Sequence, residues 1–582
     1  MCQRTFDIVL RAEKNYPDLI AFAHKKEGQW RYVSYREYAK LSKKLAKALI
    51  ANDVVKGDHI ATLTNNRPEW NVLDAGINMA GAVHVPVSPF YSEDDLHYII
   101  EHTDISLIFV FNKILYQVIR RICSNIPLVR KIILIEDAED IPSLNRFLEE
   151  GNDVPDEVLE RRISETGEED IQSIYFTSGT GGRPKGAMVR HRNILRMMKS
   201  MSEIYFLKKG EKALSYLPLS HSYESAHNYM YQHAGMIVYY AESMNTVVGN
   251  LQEVKPVIFL SVPLLLDKIA AEIQSMTEKQ TGSKKRIWQN AWNFAINYNP
   301  ENRSLIYRLK HNYYRKKVFP FWKEVLGEKV TRISAGGASL PEHLARLFFA
   351  MDIMVLEVYG MTETYAISVN SFQYGIKIGT VGVPEKNVEV RLDEEGEILC
   401  RSPYIIKGYY KNPELTAEII DPDGWFHTGD LGEWVDGKYL KITGRKKHVF
   451  KTASGNFISP ENIEKQLVKS RFISHALVVG KDKNYLSAIL VPDFNELKNY
   501  CQERKYETTN WKIVLNDLEI RSLFQKVIDE YNRNAWETEQ IKKFSILDHP
   551  WSVQTGELTP TMKLKRNNLL ERYDGMVKQF YE

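Results

Sequence analysis

Apolar residues in the stretch YREYAKLSKKLAKALIAN, residues 35–52, recur at three- and four-residue spacing, which predicts a helix with one buried face. A strand and turn follow in GDHIATLTNN, then a helix near EWNVLDAGINMAGA and a strand in VHVPVS. Further apolar runs of strand length stand at SLIFVF, KIILIED and IQSIYF, separated by helical text. Parallel neighbours need a crossover, and a helix supplies it, so this rhythm predicts an α/β domain with parallel strands. Between 386 and 445 the texture changes to short strands and close turns (VEVRLDEEGEILCR, EWVDGKYLKITG), the pattern of a small β subdomain. A compact mixed pattern returns after GRKKHVFKTASGN, in SPENIEKQLVK, HALVVG and LSAILVP. The expected division is an N-terminal domain of residues 1–446 and a C-terminal domain of residues 447–582.

Length and charge narrow the class. A chain of 582 residues is too long for one hydrophobic core. Its 77 basic and 74 acidic residues leave a net charge of +3, too little to point to nucleic acid as the partner. Cys2, Cys123, Cys400 and Cys501 lie far apart, which suits a reducing compartment and excludes a zinc ribbon or a disulfide framework. The opening MCQRTFDIVLRAEKNYPD has no uninterrupted apolar core and does not read as a signal peptide. The longest apolar run, VIFLSVPLLL, is about half a bilayer span. The expected location is cytoplasmic, with at most a peripheral contact to a membrane.

The candidate chemistry begins at YFTSGTGGRPKG, residues 175–186. A glycine-rich turn after a strand brings backbone N–H groups close to an anion. Thr177, Ser178 and Thr180 add hydroxyls around Gly179, and Lys185 adds a mobile positive charge. The GxxxxGK[ST] phosphate loop does not fit. Counted from Gly179, its second glycine falls on Pro184, and Gly186 follows Lys185 where serine or threonine is required. By composition alone the stretch also reads as a bare surface loop.

The pattern [ST]SGTxGxPKG resembles the phosphate-binding loop of the adenylate-forming enzymes, the superfamily of acyl-CoA synthetases, adenylation domains and firefly luciferase. Four further segments resemble that family in the right order: YGMTET (359–364), WFHTGD (425–430), GRKKHVFKTASGNFISPENIE (444–464) and LTPTMKLKR (558–566). The resemblance implies a large N-terminal domain of parallel α/β subdomains with a small β subdomain, then a small mobile α+β C-terminal domain. It implies ATP, Mg2+ and CoA: AMP is joined to a carboxylate with loss of pyrophosphate, and a thiol then displaces AMP. Lys563 is where it puts the lysine that bridges carboxylate and α-phosphate, with Lys565 as the alternative. Glu363 becomes the magnesium ligand, a hard cation wanting carboxylate oxygen beside phosphate. Thr362 would donate to the α-phosphate, Tyr359 would lie against adenine, and Asp430 would accept the ribose hydroxyls. Arg445 would reach ribose or phosphate. Gly337 and Ala338, in SAGGASLPEH, would bring backbone near the base. Lys447 lies at the pivot of the C-terminal domain, and Gly455 would let the pantetheine thiol pass close to backbone. One departure stands out: many members carry threonine where Gly181 sits, so one donor to the β,γ-phosphates is lost.

The segment YLPLSHSYESAHNYMYQHAGMIVYYAE (216–242) holds His221 in an LPLxH context that abuts the acyl pocket in the family, as a gate or carboxylate-side residue. The text from LQEVKPVIFLSVPLLLDKI to ISAGGASLPEHLARLF, with a helical insert between, is closest to long-chain fatty acyl-CoA synthetases. The expected substrate is therefore a long- or medium-chain fatty acid, with CoA as acceptor. Alternatives are transfer to a carrier protein and a catalytically silent binding homologue. The insert, about 275–325, is basic and aromatic (SKKRIWQNAW, YRLKHNYYRKKVFPFWK). It reads as a solvated helical hairpin with its aromatics packed inward, or as a surface for an anionic membrane.

Overall fold

The computed structural model describes residues 2–177, 183–504, 506, 510–559 and 563–582. The seven-stranded sheet runs in the order Gly408–Tyr409, Lys185–Arg190, Ile171–Thr177, Val83–Pro86, His59–Leu63, Ile105–Val110, Lys131–Leu134. Its central strands are parallel, as the alternation with helices requires, and Ile105–Val110 is buried at every residue because both faces are covered. The exception is Ile171–Thr177, which pairs antiparallel with Lys185–Arg190 and sets Thr177 opposite Lys185. The glycine-rich residues thus join two antiparallel strands instead of a strand and a helix.

A nine-stranded sheet takes Lys212–Ser215, Ile237–Tyr240, Ile258–Ser261, Arg332–Gly336 and Met354–Met361 as parallel strands, with antiparallel strands at both edges. One of its edges is the hairpin Ile20–Lys26 and Gln29–Ser34, from the far N-terminus. Two buried helices, Pro68–Met79 and Ser222–His233, link the sheets. Asp74 on the first accepts hydrogen bonds from His84 Nδ1 (2.8 Å) and Gln172 Nε2 (2.9 Å) on the seven-stranded sheet, and from Tyr229 (2.5 Å) on the second helix. Asn71 donates to Asn228 at 2.8 Å and accepts from Tyr240 on the nine-stranded sheet. These partners explain how polar residues survive in fully buried helices.

The small β subdomain is a four-stranded antiparallel sheet of Glu389–Leu392, Glu397–Arg401, Phe426–Val435 and Tyr439–Arg445. Beyond it, Ile473–Val479, Leu486–Pro492 and Ile541–Ile546 form a three-stranded sheet backed by helices Pro460–Leu467 and Leu518–Asn534. The buried members of the apolar clusters stop at Leu440 on one side and resume at Ile458 on the other. The insert folds as helices Gly282–Ile296, Leu305–Lys317 and Phe319–Lys323, with Trp288, Phe294, Tyr314, Phe319 and Trp322 buried inward. Among the described residues, no helix is long and apolar enough to cross a membrane.

Candidate active site

Strands Phe426–Val435 and Tyr439–Arg445 pair Asp430 directly with Arg445, so the two side chains share one face. Arg445 Nε donates to Asp430 Oδ1 at 2.7 Å. The Tyr359 hydroxyl, from strand Met354–Met361, donates to Oδ2 at 2.9 Å. Burial and the Asp430 charge push the Tyr359 phenol well above its ordinary value, so it stays a donor. Each carboxylate oxygen retains a second lone pair, which suits Asp430 to a vicinal pair of hydroxyls. Next to Tyr359, a Cβ on Gly360 would fall 1.8 Å from the Tyr365 carbonyl oxygen, so only glycine fits there.

The turn after that strand carries Thr362 and Glu363, both buried. Thr362 Oγ1 accepts from Ser222 at 2.9 Å. Glu363 Oε1 accepts from the Tyr409 hydroxyl at 2.6 Å and from Thr177 Oγ1 at 3.4 Å. Lys185 Nζ lies 5.6 Å from the centre of the Tyr409 ring. Burial and the like charge of Lys447 lower the Lys185 ammonium below its usual range, with Glu363 opposing them. Lys185 is partly desolvated and forms no ion pair among the described residues. Ser178, Gly179, Thr180 and Gly181 lie outside the described residues.

His221 caps helix Ser222–His233, its Nδ1 accepting the Tyr223 N–H at 3.2 Å, which assigns the ring proton to Nε2. Burial, then the charge of Lys563, pushes His221 down to about 4, so the ring is neutral at pH 7. Lys563 is exposed. Desolvation and Arg445 lower its ammonium, and Asp430, Glu461 and Glu363 oppose them. Of these residues Arg445, Asp430 and Glu363 belong to the N-terminal site, and Glu461 to helix Pro460–Leu467. Lys565 instead precedes helix Arg566–Arg572, its backbone N–H held by the Glu557 carbonyl at 2.8 Å. That helix is fastened by Arg566, which makes two 2.6 Å bonds to the buried Glu464.

Around the rim, Gly337 has φ +78°, a conformation that favours glycine, and Ala338 beside it is exposed. Ser334, on the strand Arg332–Gly336 that leads into this loop, is buried between the hydroxyls of Tyr205 (2.6 Å) and Tyr223 (2.9 Å). A Cβ on Gly336 would meet the Tyr223 hydroxyl at 2.8 Å. Lys447 is exposed in the turn after Arg445. Gly455 is not brought to the cluster: it is exposed, with φ +86° and open space where a Cβ would stand.

Four contributors were not singled out from sequence. Tyr409 orients Glu363, and Ser222 holds Thr362. His448 Nδ1 meets Glu461 at 2.5 Å. Burial pushes the Glu461 carboxyl up, but His448, Lys465 and Arg445 outweigh it and hold the group at about 2. Tyr409 and Ser222 touch motif residues from distant segments, so no spacing along the chain announces them, whereas His448 and Glu461 pair with each other inside the segment 444–464. Trp425 serves the subdomain, stacked by Arg391 at 4.2 Å and Arg401 at 4.9 Å.

A family model described as AMP-binding enzyme matches residues 9–410, and one described as AMP-binding enzyme C-terminal domain matches residues 448–582. The chain is 28% identical to the long-chain-fatty-acid–CoA ligase FadD15 of Mycobacterium bovis, over 99% of this chain and 96% of that protein. It is 31% identical to the peroxisomal long chain acyl-CoA synthetase 7 of Arabidopsis thaliana, over 95% of this chain and 82% of that protein. Among solved structures, the adenylation domain of a carboxylate reductase from Mycobacterium chelonae superposes with a TM-score of 0.76 at 20% identity, covering 99% of this chain and 91% of that one. At that identity the likeness shows the fold.

Proposed function

The chain belongs to the AMP-binding enzyme family, and on that premise we propose that it is an ATP-dependent ligase that joins a long- or medium-chain fatty acid to CoA. In the first step a carboxylate oxygen attacks the α-phosphorus of ATP, and the bond to pyrophosphate breaks. In the second, the CoA thiol sulfur attacks the acyl carbonyl carbon, the bond to AMP breaks, and a thioester forms.

Two anions must meet in the first step, so cationic stabilisation at the α-phosphorus is the main requirement. Lys563 is assigned to it by its place in the segment LTPTMKLKR, and the Asp430 carboxylate held between Arg445 and Tyr359 is the observation that carries the reading. Asp430 takes the ribose hydroxyls, with Arg445 and Tyr359 fixing its plane. Thr177, Ser178, Gly179, Thr180 and Lys185 hold the triphosphate, and Thr362 donates to the α-phosphate. Gly337 and Ala338 border the base. Neutral His221 is assigned to the carboxylate end of the acyl site.

Among the described residues no three acidic, histidine or cysteine side chains gather as a ready-made metal cage. A lone carboxylate, Glu363, matches the way Mg2+ is held by few protein ligands and mostly by substrate phosphates. Bound there, Mg2+ would neutralise phosphate charge. We place the domain boundary at 446/447, with Lys447 at the pivot and Gly455 on the face used with CoA.

Each methylene buried contributes about 0.8 kcal/mol, close to fourfold in affinity, so chain length discriminates strongly in an apolar pocket. The test is acid-dependent pyrophosphate release by the purified protein, from acetate to stearate, with and without CoA. Release that peaks with longer chains and turns over only with CoA is expected. No release with any acid, despite ATP binding, would sink the ligase reading.

A further inference from the structure

Residues 282–323 carry ten lysines and arginines against one acid, Glu301, a net charge of +9 where the whole chain has only +3. Of these ten cations, Arg315 alone forms an ion pair among the described residues, with Asp352 at 2.7 Å. So concentrated and uncompensated a charge is unusual on a chain that is otherwise close to neutral.

The helix Leu305–Lys317 shows what accompanies that charge. Its inner side is fixed: Tyr314 is buried, Tyr307 and His311 are half-buried, and all three rings lie against Phe294 at 4.8–6.1 Å. His311 Nε2 also bonds the Ala350 carbonyl at 2.8 Å, tying the helix to the body. The opposite side is apolar and uncovered. Leu305 is 75% exposed, Ile306 81%, Leu309 68% and Tyr313 47%. At about 100° of rotation per residue these four fall within one arc of roughly 100°, and Lys316 and Lys317 fall in or beside it, whereas the Lys310 ammonium lies over the inner Phe294 ring at 5.5 Å. A solvated helix has no reason to turn three aliphatic side chains to water on the side away from its packing.

The aromatic residues that first suggest lipid are not the ones on offer, since Trp288, Phe319 and Trp322 are consumed by the interior. The aliphatic stripe and the cations beside it remain. We propose that the outer face of helix Leu305–Lys317 docks this protein on an anionic lipid bilayer. Leu305, Ile306 and Leu309 enter the headgroup boundary, and the lysines meet the lipid phosphates. The charge of the whole region selects a bilayer over a second copy of the chain, because two copies joined through this face would set +9 against +9. Neither half of the device anchors strongly alone, so binding should be reversible and sensitive to salt.

The test uses the full-length protein in vesicle sedimentation, with phosphatidylcholine alone or mixed with phosphatidylglycerol. Two variants accompany it, L305D/I306D/L309D and K316E/K317E, both altered only at exposed positions and checked for unchanged circular dichroism. Wild type should bind the mixed vesicles, release in high salt and ignore neutral ones. Each variant should lose about tenfold or more of the bound fraction while pyrophosphate release with a water-soluble acid stays unchanged. Failure of wild type to bind mixed vesicles overturns the proposal, as does undiminished binding by the triple-aspartate variant. So does a concentration-dependent dimer in gel filtration that this variant abolishes without any vesicle binding. Vesicle binding is read without turnover, so this proposal and the ligase reading fail separately.

Discussion

Asp430 accepts from two fixed donors and is assigned two more from the ribose. Asp430→Asn keeps the shape but replaces one acceptor by a donor that faces Arg445 or Tyr359. The expected outcome is a rise in the ATP requirement of roughly tenfold to a hundredfold, the cost of losing charge-assisted hydrogen bonds, with the requirement for fatty acid little changed. Pyrophosphate release titrated with ATP measures it, and an unchanged ATP requirement would move the ribose ligand elsewhere. Tyr359→Phe removes one orienting bond and should cost only several-fold. At Lys563 the expectation has a different form. Lys563→Ala should slow acyl-adenylate formation by about two to three orders of magnitude, the scale of losing one preorganised electrostatic group, while ATP binding persists. Full activity in that variant would mean that Lys565 or another cation does the work.

Helix Ser222–His233 shows how one element carries opposing titrations. His227 is buried and pushed down to about 4 by desolvation, its Nδ1 bonded to the Tyr223 carbonyl at 2.8 Å. Glu224, one turn away, is buried and pushed up to about 8, with Ser215 opposing the shift. Between about pH 4.5 and 8 the folded state keeps the Glu224 proton that the unfolded chain releases, so this group lowers stability as pH rises. His227 acts in reverse, since below about pH 6.5 the unfolded chain takes a proton that the fold refuses. Urea unfolding at pH 5 and pH 8.5 should therefore show Glu224→Gln close to wild type at the lower pH and more stable at the higher, by on the order of 1–3 kcal/mol. Equal stability at both pH values would mean that Glu224 is ionised in the fold. Periodicity places helix Tyr35–Ala51, strand His59–Leu63 and most later elements correctly, because a buried face writes itself at regular spacing. It does not find the hairpin Ile20–Ser34, whose second strand has no fully buried residue, nor foresee that His227, Asn228, Tyr229 and Gln232 serve an internal network.

At the scale of the molecule, the motif residues were legible because each lies in a short segment with its own spacing, whereas the orienting partners Tyr409 and Ser222 are brought to them by the three-dimensional fold. Among the described residues no apolar residue is buried between Leu440 and Ile458, the segment that holds Arg445 and Lys447. Polar contacts cross between the cores on either side of it, such as Lys465 Nζ to Ser339 Oγ at 3.1 Å, but an exposed contact of this kind is worth little and breaks readily. In this arrangement Gly455 is exposed and away from the cluster around Asp430 and Glu363, so a thiol that passed along the Gly455 loop would not meet that cluster. If the C-terminal core turns between the two steps, a side chain at 455 should matter in only one of them. A Cβ added at Gly455 meets no neighbour, so the main expected cost of Gly455→Leu is the strain of a positive φ, about 1 kcal/mol in an exposed turn. Acid-dependent pyrophosphate formation in a single turnover should therefore stay within a few-fold of wild type. Thioester formation from supplied acyl-adenylate and CoA should fall by an order of magnitude or more. Lys563→Ala should give the mirror image, with adenylation lost and thioester formation retained. Equal loss of both steps in Gly455→Leu, with the fold intact, would place the thiol's path elsewhere and remove the reason for the cores to turn.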